Sequence, residues 1–293
     1  MRTGFLGLGA MGAPMARNLH KAGLLASVWN RHADKASTLA AELGVRAAES
    51  PAALAKDVSA IVLCVAADAD MLDLVSAMVP KLRPESVLID CTTTSANAAR
   101  AAAKMVAAQG AAFLDCPVSG GTEGARLGTL AIMCGGGKDA FQRAQPVLQA
   151  MGKTITHFGA SGSGQAAKAT NQIMCAGIIR AVAEAMAFAR AQGLPLDALV
   201  ETLGKGAGSS WYFVNRAPNM IRGEYPAGFR VRLHAKDLAI CHNMAAASGV
   251  ALPVVEDMLA EYATLIERGY GDEDISAVFR LKQQLFERSG TPP

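Results

Sequence analysis

Apolar and polar positions change rhythm once along this chain. In the first half, short apolar runs at 3–6, 26–29, 60–65, 86–90 and 111–115 alternate with alanine-rich stretches at 13–22, 33–43 and 96–109. Continuous short runs suit strands buried on both faces, and the three-to-four spacing within the alanine-rich stretches is that of amphipathic helices. Strand alternating with helix predicts a doubly wound, mostly parallel sheet with helices on both faces. Two more runs, 130–134 and 154–157, predict added strands around a helix at 138–151. After the glycine-rich stretch 159–164 the strand rhythm stops, and positions 165–192 keep helical spacing throughout. At ~1.5 Å per residue that helix is about 40 Å long. Further helices follow, with breaks at 193–195, 204–208, 225–228, 249–253 and 269–272. The expected organisation is an α/β domain over 1–162 and an all-α domain over 163–293 that opens with a long interdomain helix.

Composition agrees with two ordinary domains. Of 293 residues, 51% are hydrophobic, which supports sizeable cores and argues against disorder. Only 18% are charged, a low share that points to surface covered by other copies of the chain, as a homodimer or homotetramer. A net charge of +3 without a Lys/Arg run argues against nucleic-acid and membrane-surface partners. The most apolar segment, 173–191, carries Arg180, Glu184 and Arg190, so a membrane span is not expected there. Met1 leads directly into the first strand, which leaves no signal peptide in the sequence given. None of the six cysteines forms a C-x-x-C pair, and most lie in apolar runs, which reads as reduced core thiols in a cytoplasm. No His/Cys cluster has metal-ligand spacing, so no metal is expected.

The first strand ends in Gly7-Leu8-Gly9-Ala10-Met11-Gly12, a G-x-G-x-x-G turn that opens a helix. In that context the first glycine allows the tight turn, the second lets a pyrophosphate approach the backbone, and the third lets helix and strand pack closely. The helix N-terminus adds unpaired N–H groups and a partial positive charge. A dinucleotide-binding Rossmann domain follows as the expectation. An acidic residue at the end of the second strand would bind the ribose 2′-hydroxyl of NAD. This chain has Asn30, Arg31, His32 and then Lys35, which favours the 2′-phosphate of NADP, with NAD as the second choice.

A nicotinamide cofactor implies hydride transfer, and a proton donor or acceptor is needed beside the carbonyl. The Tyr-x-x-x-Lys pair of short-chain dehydrogenases is absent: Arg216, Phe229, Ile266 and Asp274 stand four residues after the four tyrosines. Lys168 is the only side chain between Gly159 and Arg180 that carries a charge at neutral pH. An ammonium that loses water in an apolar helix gives up its proton more readily, which suits acid–base work. Asn171 and Gln172 lie three and four residues further on, on the same helical face.

The stretch "GFLGLGAMGAPMARNLHKAG" resembles the N-terminal signature of the β-hydroxyacid dehydrogenase family, which includes 3-hydroxyisobutyrate dehydrogenases and several semialdehyde reductases. "DCPVSGGTEGARLGTLAIMCGG", "GSGQAAKATNQ" and "GFRVRLHAKDL" resemble its other motifs, in family order, so the resemblance spans nearly the whole chain. It implies an NAD(P)-dependent oxidoreductase that interconverts a small β-hydroxyacid and its semialdehyde. Lys168 matches the catalytic lysine. Ser119, Gly120 and Gly121 match the segment that binds the substrate carboxylate, where consecutive N–H groups and a hydroxyl form an anion cradle. Lys236 and Asp237 match a Lys-Asp pair that closes over nicotinamide and substrate, and Val65, Ala66 and Thr93 match cofactor-lining positions. The chain departs from the pattern at Val65-Ala66, where many members have Leu-Pro, and at Asp70, where many have Asn.

Some members place a substrate-orienting Asn four residues after the lysine; here Asn is at three and Gln at four, so either Asn171 or Gln172 takes that part. Trp211 and Tyr212 are candidate pocket walls, and Arg216 a candidate partner for a second acidic group on the substrate. The competing readings are a non-catalytic dinucleotide-binding regulatory module and an imine reductase-like relative. Retention of Lys168 and of the Ser119–Gly121 cradle disfavours both.

Overall fold

A computed structural model describes residues 1–287. The chain divides into two compact units, residues 1–168 and 169 onward.

In the first unit the elements run β1 (Thr3–Leu6), α1 (Gly12–Lys21), β2 (Leu25–Trp29), α2 (Ala33–Leu43), β3 (Arg46–Ala47), α3 (Pro51–Lys56), β4 (Ala60–Leu63), α4 (Asp68–Met78), β5 (Val87–Asp90), α5 (Ala96–Ala107), β6 (Ala112–Asp115), β7 (Val118–Ser119), α6 (Gly121–Leu127), β8 (Leu130–Gly136), α7 (Lys138–Met151) and β9 (Gly152–Gly159). One sheet has the order β3-β2-β1-β4-β5-β6-β8-β7, with β9 beside β8. Pairing is parallel from β3 through to β6. β8 then lies antiparallel to β6 and to β7, while β9 runs parallel to β8. This is a Rossmann sheet extended at one side, as the alternating runs predict.

The apolar runs are continuous because successive side chains go to opposite faces and both faces are covered. Phe5, Val62 and Ile89 join the cluster of Met15, Leu39 and Leu148 from α1, α2 and α7. Their neighbours Leu6, Leu63 and Leu88 join Leu54, Met71 and Val106 from α3, α4 and α5. Short elements escape the periodicity reading: β3 and β7 have two residues each, too few to show a period. α3 rests on a cap instead, with Ser50 Oγ accepting from Ala53 N at 3.1 Å and Pro51 in the first turn.

A long helix, α8 (Ser163–Ala191), crosses from the first unit into the second. By length and composition it is apolar enough to cross a membrane, with a mean hydropathy of 1.4 over its best window, of which 44% is buried. Ala176, Ile179, Ala183 and Met186 enter the core of the second unit at helical spacing, whereas Met174 and Phe188 are exposed. That core also takes Phe213 and Met220 from α10 (Trp211–Arg222), Leu238 from α11 (Val231–Ala246) and Met258 and Tyr262 from α12 (Pro253–Glu267). The shorter α9 (Leu196–Leu203) and α13 (Phe279–Glu287) complete the unit, in which no strand forms among the described residues. None of the six cysteines is in a disulfide.

Candidate functional site

The glycine turn is built by three different constraints. Gly7 has φ +93°, and a Cβ there would stand 2.2 Å from the Cys64 carbonyl oxygen. A Cβ on Gly12 would stand 1.8 Å from the Gly7 carbonyl oxygen, so α1 starts in contact with the turn. At Gly9 a Cβ would meet nothing within 4 Å, although the position is the middle glycine of the motif. The protein's own packing does not require glycine at Gly9, and the missing side chain leaves this stretch of backbone open to close approach. Gly9 and Ala10 are exposed, Met11 is half-buried and Leu8 is buried. The chain therefore fits a dinucleotide pyrophosphate at this turn.

Beyond β2, Asn30 Oδ1 accepts from Leu8 N at 2.9 Å, and Asn30 Nδ2 donates to the His32 carbonyl at 3.1 Å. Asn30 thus ties the glycine turn to the following loop. Arg31 carries its guanidinium onto the carboxylate of Asp70, in the first turn of α4. His32 and Lys35 are exposed at the start of α2. Behind β4, Val65 N donates to Thr92 Oγ1 at 3.0 Å; Val65 and Thr93 are half-buried, and Ala66 is exposed.

Ser119 ends β7, and Gly120 and Gly121 follow with φ +129° and +62°, conformations that side-chain-bearing residues avoid. They lead into α6, whose first-turn N–H groups have no partner within the helix. Three consecutive residues with small or no side chains leave this backbone accessible, and Gly120 and Gly121 are exposed.

The start of α8 is fastened by two buried polar side chains that sequence reasoning passed over. Asp115 Oδ1 accepts from Gly162 N at 2.8 Å and Oδ2 from Gln165 N at 3.0 Å. Gln165 accepts from Thr94 N at 3.0 Å and donates to the Thr92 carbonyl at 2.8 Å. Burial pushes the Asp115 carboxyl up, and backbone hydrogen bonds from Gly162 and Gln165 pull it back. Asp90, fully buried at the end of β5, is pushed up by burial to about 7 against a hydrogen bond from Thr92 N. On the helix so anchored stands Lys168, only 6% exposed. The signal for Asp115 lay in the "DCPVSGG" stretch, as a charged residue inside an apolar run.

In the second unit a polar chain links α8 to α11. Asn171 Nδ2 donates to Gln172 Oε1 at 2.9 Å, and Gln172 Nε2 donates to Asp237 Oδ2 at 2.7 Å. The other Asp237 oxygen pairs with Lys236 Nζ at 2.9 Å. Gln172 and Asp237 are buried, while Asn171 is half-buried. Trp211 is 65% exposed at the start of α10, so it is not a core residue, whereas Tyr212 and Phe213 are. Arg216 stacks on the Trp211 ring, 5.1 Å from its centroid, and pairs at 3.4 Å with Asp274. Asp274 also accepts from Phe229 N and Ser276 N, which makes it a buried hub. Arg216, a candidate partner for a second acidic group on the substrate, has its charge answered here by Asp274. Among the described residues no group of three or more His, Cys, Asp or Glu could hold a metal ion.

Known proteins resemble this chain along its length. Residues 2–159 match the family model described as the NAD binding domain of 6-phosphogluconate dehydrogenase. Residues 162–282 match the model for the NAD-binding region of NADP-dependent 3-hydroxyisobutyrate dehydrogenase. An NAD-dependent L-serine dehydrogenase of Pseudomonas aeruginosa is 34% identical over 287 residues, 94% of this chain and 96% of that one. The mitochondrial 3-hydroxyisobutyrate dehydrogenase of Mus musculus is 34% identical, over 96% of this chain and 87% of that one. A solved structure of 3-hydroxyisobutyrate dehydrogenase from Mycobacterium tuberculosis with L-serine superposes with a TM-score of 0.88 at 32% identity, covering 96% of this chain and 99% of that one.

Proposed function

Because the chain belongs to the β-hydroxyacid dehydrogenase family and is an NAD(P)-binding oxidoreductase, we propose that it interconverts a small β-hydroxyacid and its semialdehyde through Lys168. The substrate class is a carboxylic acid with a hydroxyl on its β-carbon, the chemistry shared by L-serine and 3-hydroxyisobutyrate in the names of the relatives. The observation that carries the reading is a buried lysine on a helix whose first turn is locked by Asp115 and Gln165. A lysine kept for solubility would extend into water.

Gly7–Gly12 would hold the dinucleotide's pyrophosphate, Asn30, Arg31, His32 and Lys35 its adenosine ribose, and Val65, Ala66, Thr93 and Lys236 would supply further cofactor contacts. NADP is favoured over NAD through Arg31. When bound, the cofactor would supply the hydride acceptor for oxidation and the hydride donor for reduction. Ser119, Gly120 and Gly121 receive the substrate carboxylate. In oxidation the neutral Lys168 amine takes the hydroxyl proton, and in reduction its ammonium returns a proton to the carbonyl oxygen. Asn171 holds the reacting oxygen in register. Both amides are hydrogen-bonded, but Asn171 is half-buried where Gln172 is buried, and that accessibility supports the choice of Asn171. Asp237 and Lys236 act from α11, and exposed Trp211 walls the substrate.

A screen of small β-hydroxyacids and semialdehydes with both cofactors tests this. Cofactor-coupled turnover of at least one such acid is expected; no turnover on any of them overturns the reading.

Residues 1–162 form the cofactor domain in this account, and 163–293 the substrate and assembly domain. The chain works in the cytoplasm as a homodimer or homotetramer, with neither membrane nor nucleic acid as partner. Met174, Phe188, Leu203 and Val254 are exposed apolar residues of the helical unit, which supports packing of copies through it. Light scattering at micromolar concentration should report a dimer or tetramer, and a monomer would refute this assembly.

A further inference from the structure

Arg31, the residue offered above to a 2′-phosphate, is already engaged. Its guanidinium donates to a carboxylate oxygen of Asp70, which lies in the first turn of α4. β2 and β4 flank β1 on opposite sides, so the pair joins the loop after β2 to the helix after β4 across the strand that carries the glycine turn. Asp68, the other acid in that turn of α4, is committed elsewhere: its two oxygens accept from Ser95 N at 3.0 Å and Ser95 Oγ at 2.6 Å. Asp70 is the carboxylate left facing the second strand's end. Its side chain is 25% exposed, against 71% for Arg31, so the acid is the more enclosed member of the pair and the guanidinium the one open to solvent.

We propose that Asp70 is a specificity-determining residue for the cofactor, a carboxylate clamp on Arg31 that a 2′-phosphate must open and a 2′-hydroxyl need not. The inference rests on the reading that Arg31 is the partner of the 2′-phosphate. A phosphate approaching Arg31 finds one terminal guanidinium nitrogen already donating to Asp70 and meets that acid's negative charge at close range. A ribose hydroxyl carries no charge and leaves the pair intact. Asp70 therefore narrows the margin by which Arg31 favours NADP and keeps NAD usable. A purely structural role is the alternative, since an acid in the first turn of a helix stabilises it through the helix dipole. That role affects both cofactors alike.

The test is direct binding of NADPH and NADH to four proteins: wild type, Asp70→Asn, Arg31→Ala and the double variant. Asp70→Asn should tighten NADPH by about five- to tenfold and leave NADH within about twofold, the size expected for one partly exposed charge pair and its repulsion of a phosphate. The gain should vanish in the Arg31→Ala background. Equal changes for both cofactors, or no change for either, would overturn the clamp while leaving Arg31 as a phosphate partner if Arg31→Ala alone weakens NADPH. An Arg31→Ala protein that binds NADPH as wild type does would overturn the reading of Arg31 and the clamp with it.

Discussion

Lys168→Ala should lower turnover by about 10²–10⁴-fold, the usual contribution of a positioned general acid or base, while NADPH binding stays nearly unchanged. The two effects separate because the cofactor phosphates are assigned to the turn at Gly7–Gly12, at the far end of the first unit's sequence. The pH profile of the variant should also lose the limb that reports the lysine. A side chain that merely reached from α8 into water predicts a loss of a few fold at most, and the burial of Lys168 already stands against it. Measuring kcat and NADPH binding on one Lys168→Ala preparation checks both halves. Activity within a few fold of wild type would mean that the proton comes from elsewhere.

The second large effect divides the glycines of the turn by what each makes room for. Gly9→Ala introduces a methyl group that meets no protein atom within 4 Å. Its melting temperature should match that of wild type, while cofactor affinity falls by about tenfold or more, because the methyl fills the approach of the pyrophosphate. Gly12→Ala places the methyl 1.8 Å from the Gly7 carbonyl oxygen. The backbone must move, at a cost of about 1–3 kcal/mol or more as in other overpacked sites, so this variant should lose stability as well as affinity. Thermal unfolding and NADPH titration of the pair check the distinction. A Gly9→Ala protein that binds NADPH normally would remove the dinucleotide from this turn.

How much of this was legible in the sequence follows from length and period. Strands such as β4 and β5 are buried on both faces, so they read as unbroken apolar runs. α8 repeats its helical period over 29 residues, which made it the clearest element in the chain. The two-residue β3 and β7 have no period to read, and α6 begins on two left-handed glycines that look like loop. In the site, the glycine turn and Lys168 were visible because their residue types are unusual in their local setting. The partners were not. Asp115 reaches Gln165 across a separation of 50 in sequence, Gln172 reaches Asp237 across 65, and Arg31 reaches Asp70 across 39. Such pairs form only when the fold closes, and nothing local announces them. Arg216 is a further case: a lone basic residue beside a candidate pocket suggested a substrate role, and its pairing with Asp274, a buried carboxylate 58 positions later in the chain, is equally invisible to local sequence.

In the proposed reaction a carboxylate-bearing carbonyl compound takes its proton from Lys168. The most direct measurement is kcat/KM of the wild-type protein with NADPH for three compounds: a small semialdehyde acid, its methyl ester and a cyclic imine. The acid should be reduced, the ester should fall by about ten- to a hundredfold through loss of the charged hydrogen bonds at Ser119–Gly121, and the imine should be turned over poorly or not at all. Equal rates on acid and ester, or a preference for the imine, would contradict the account.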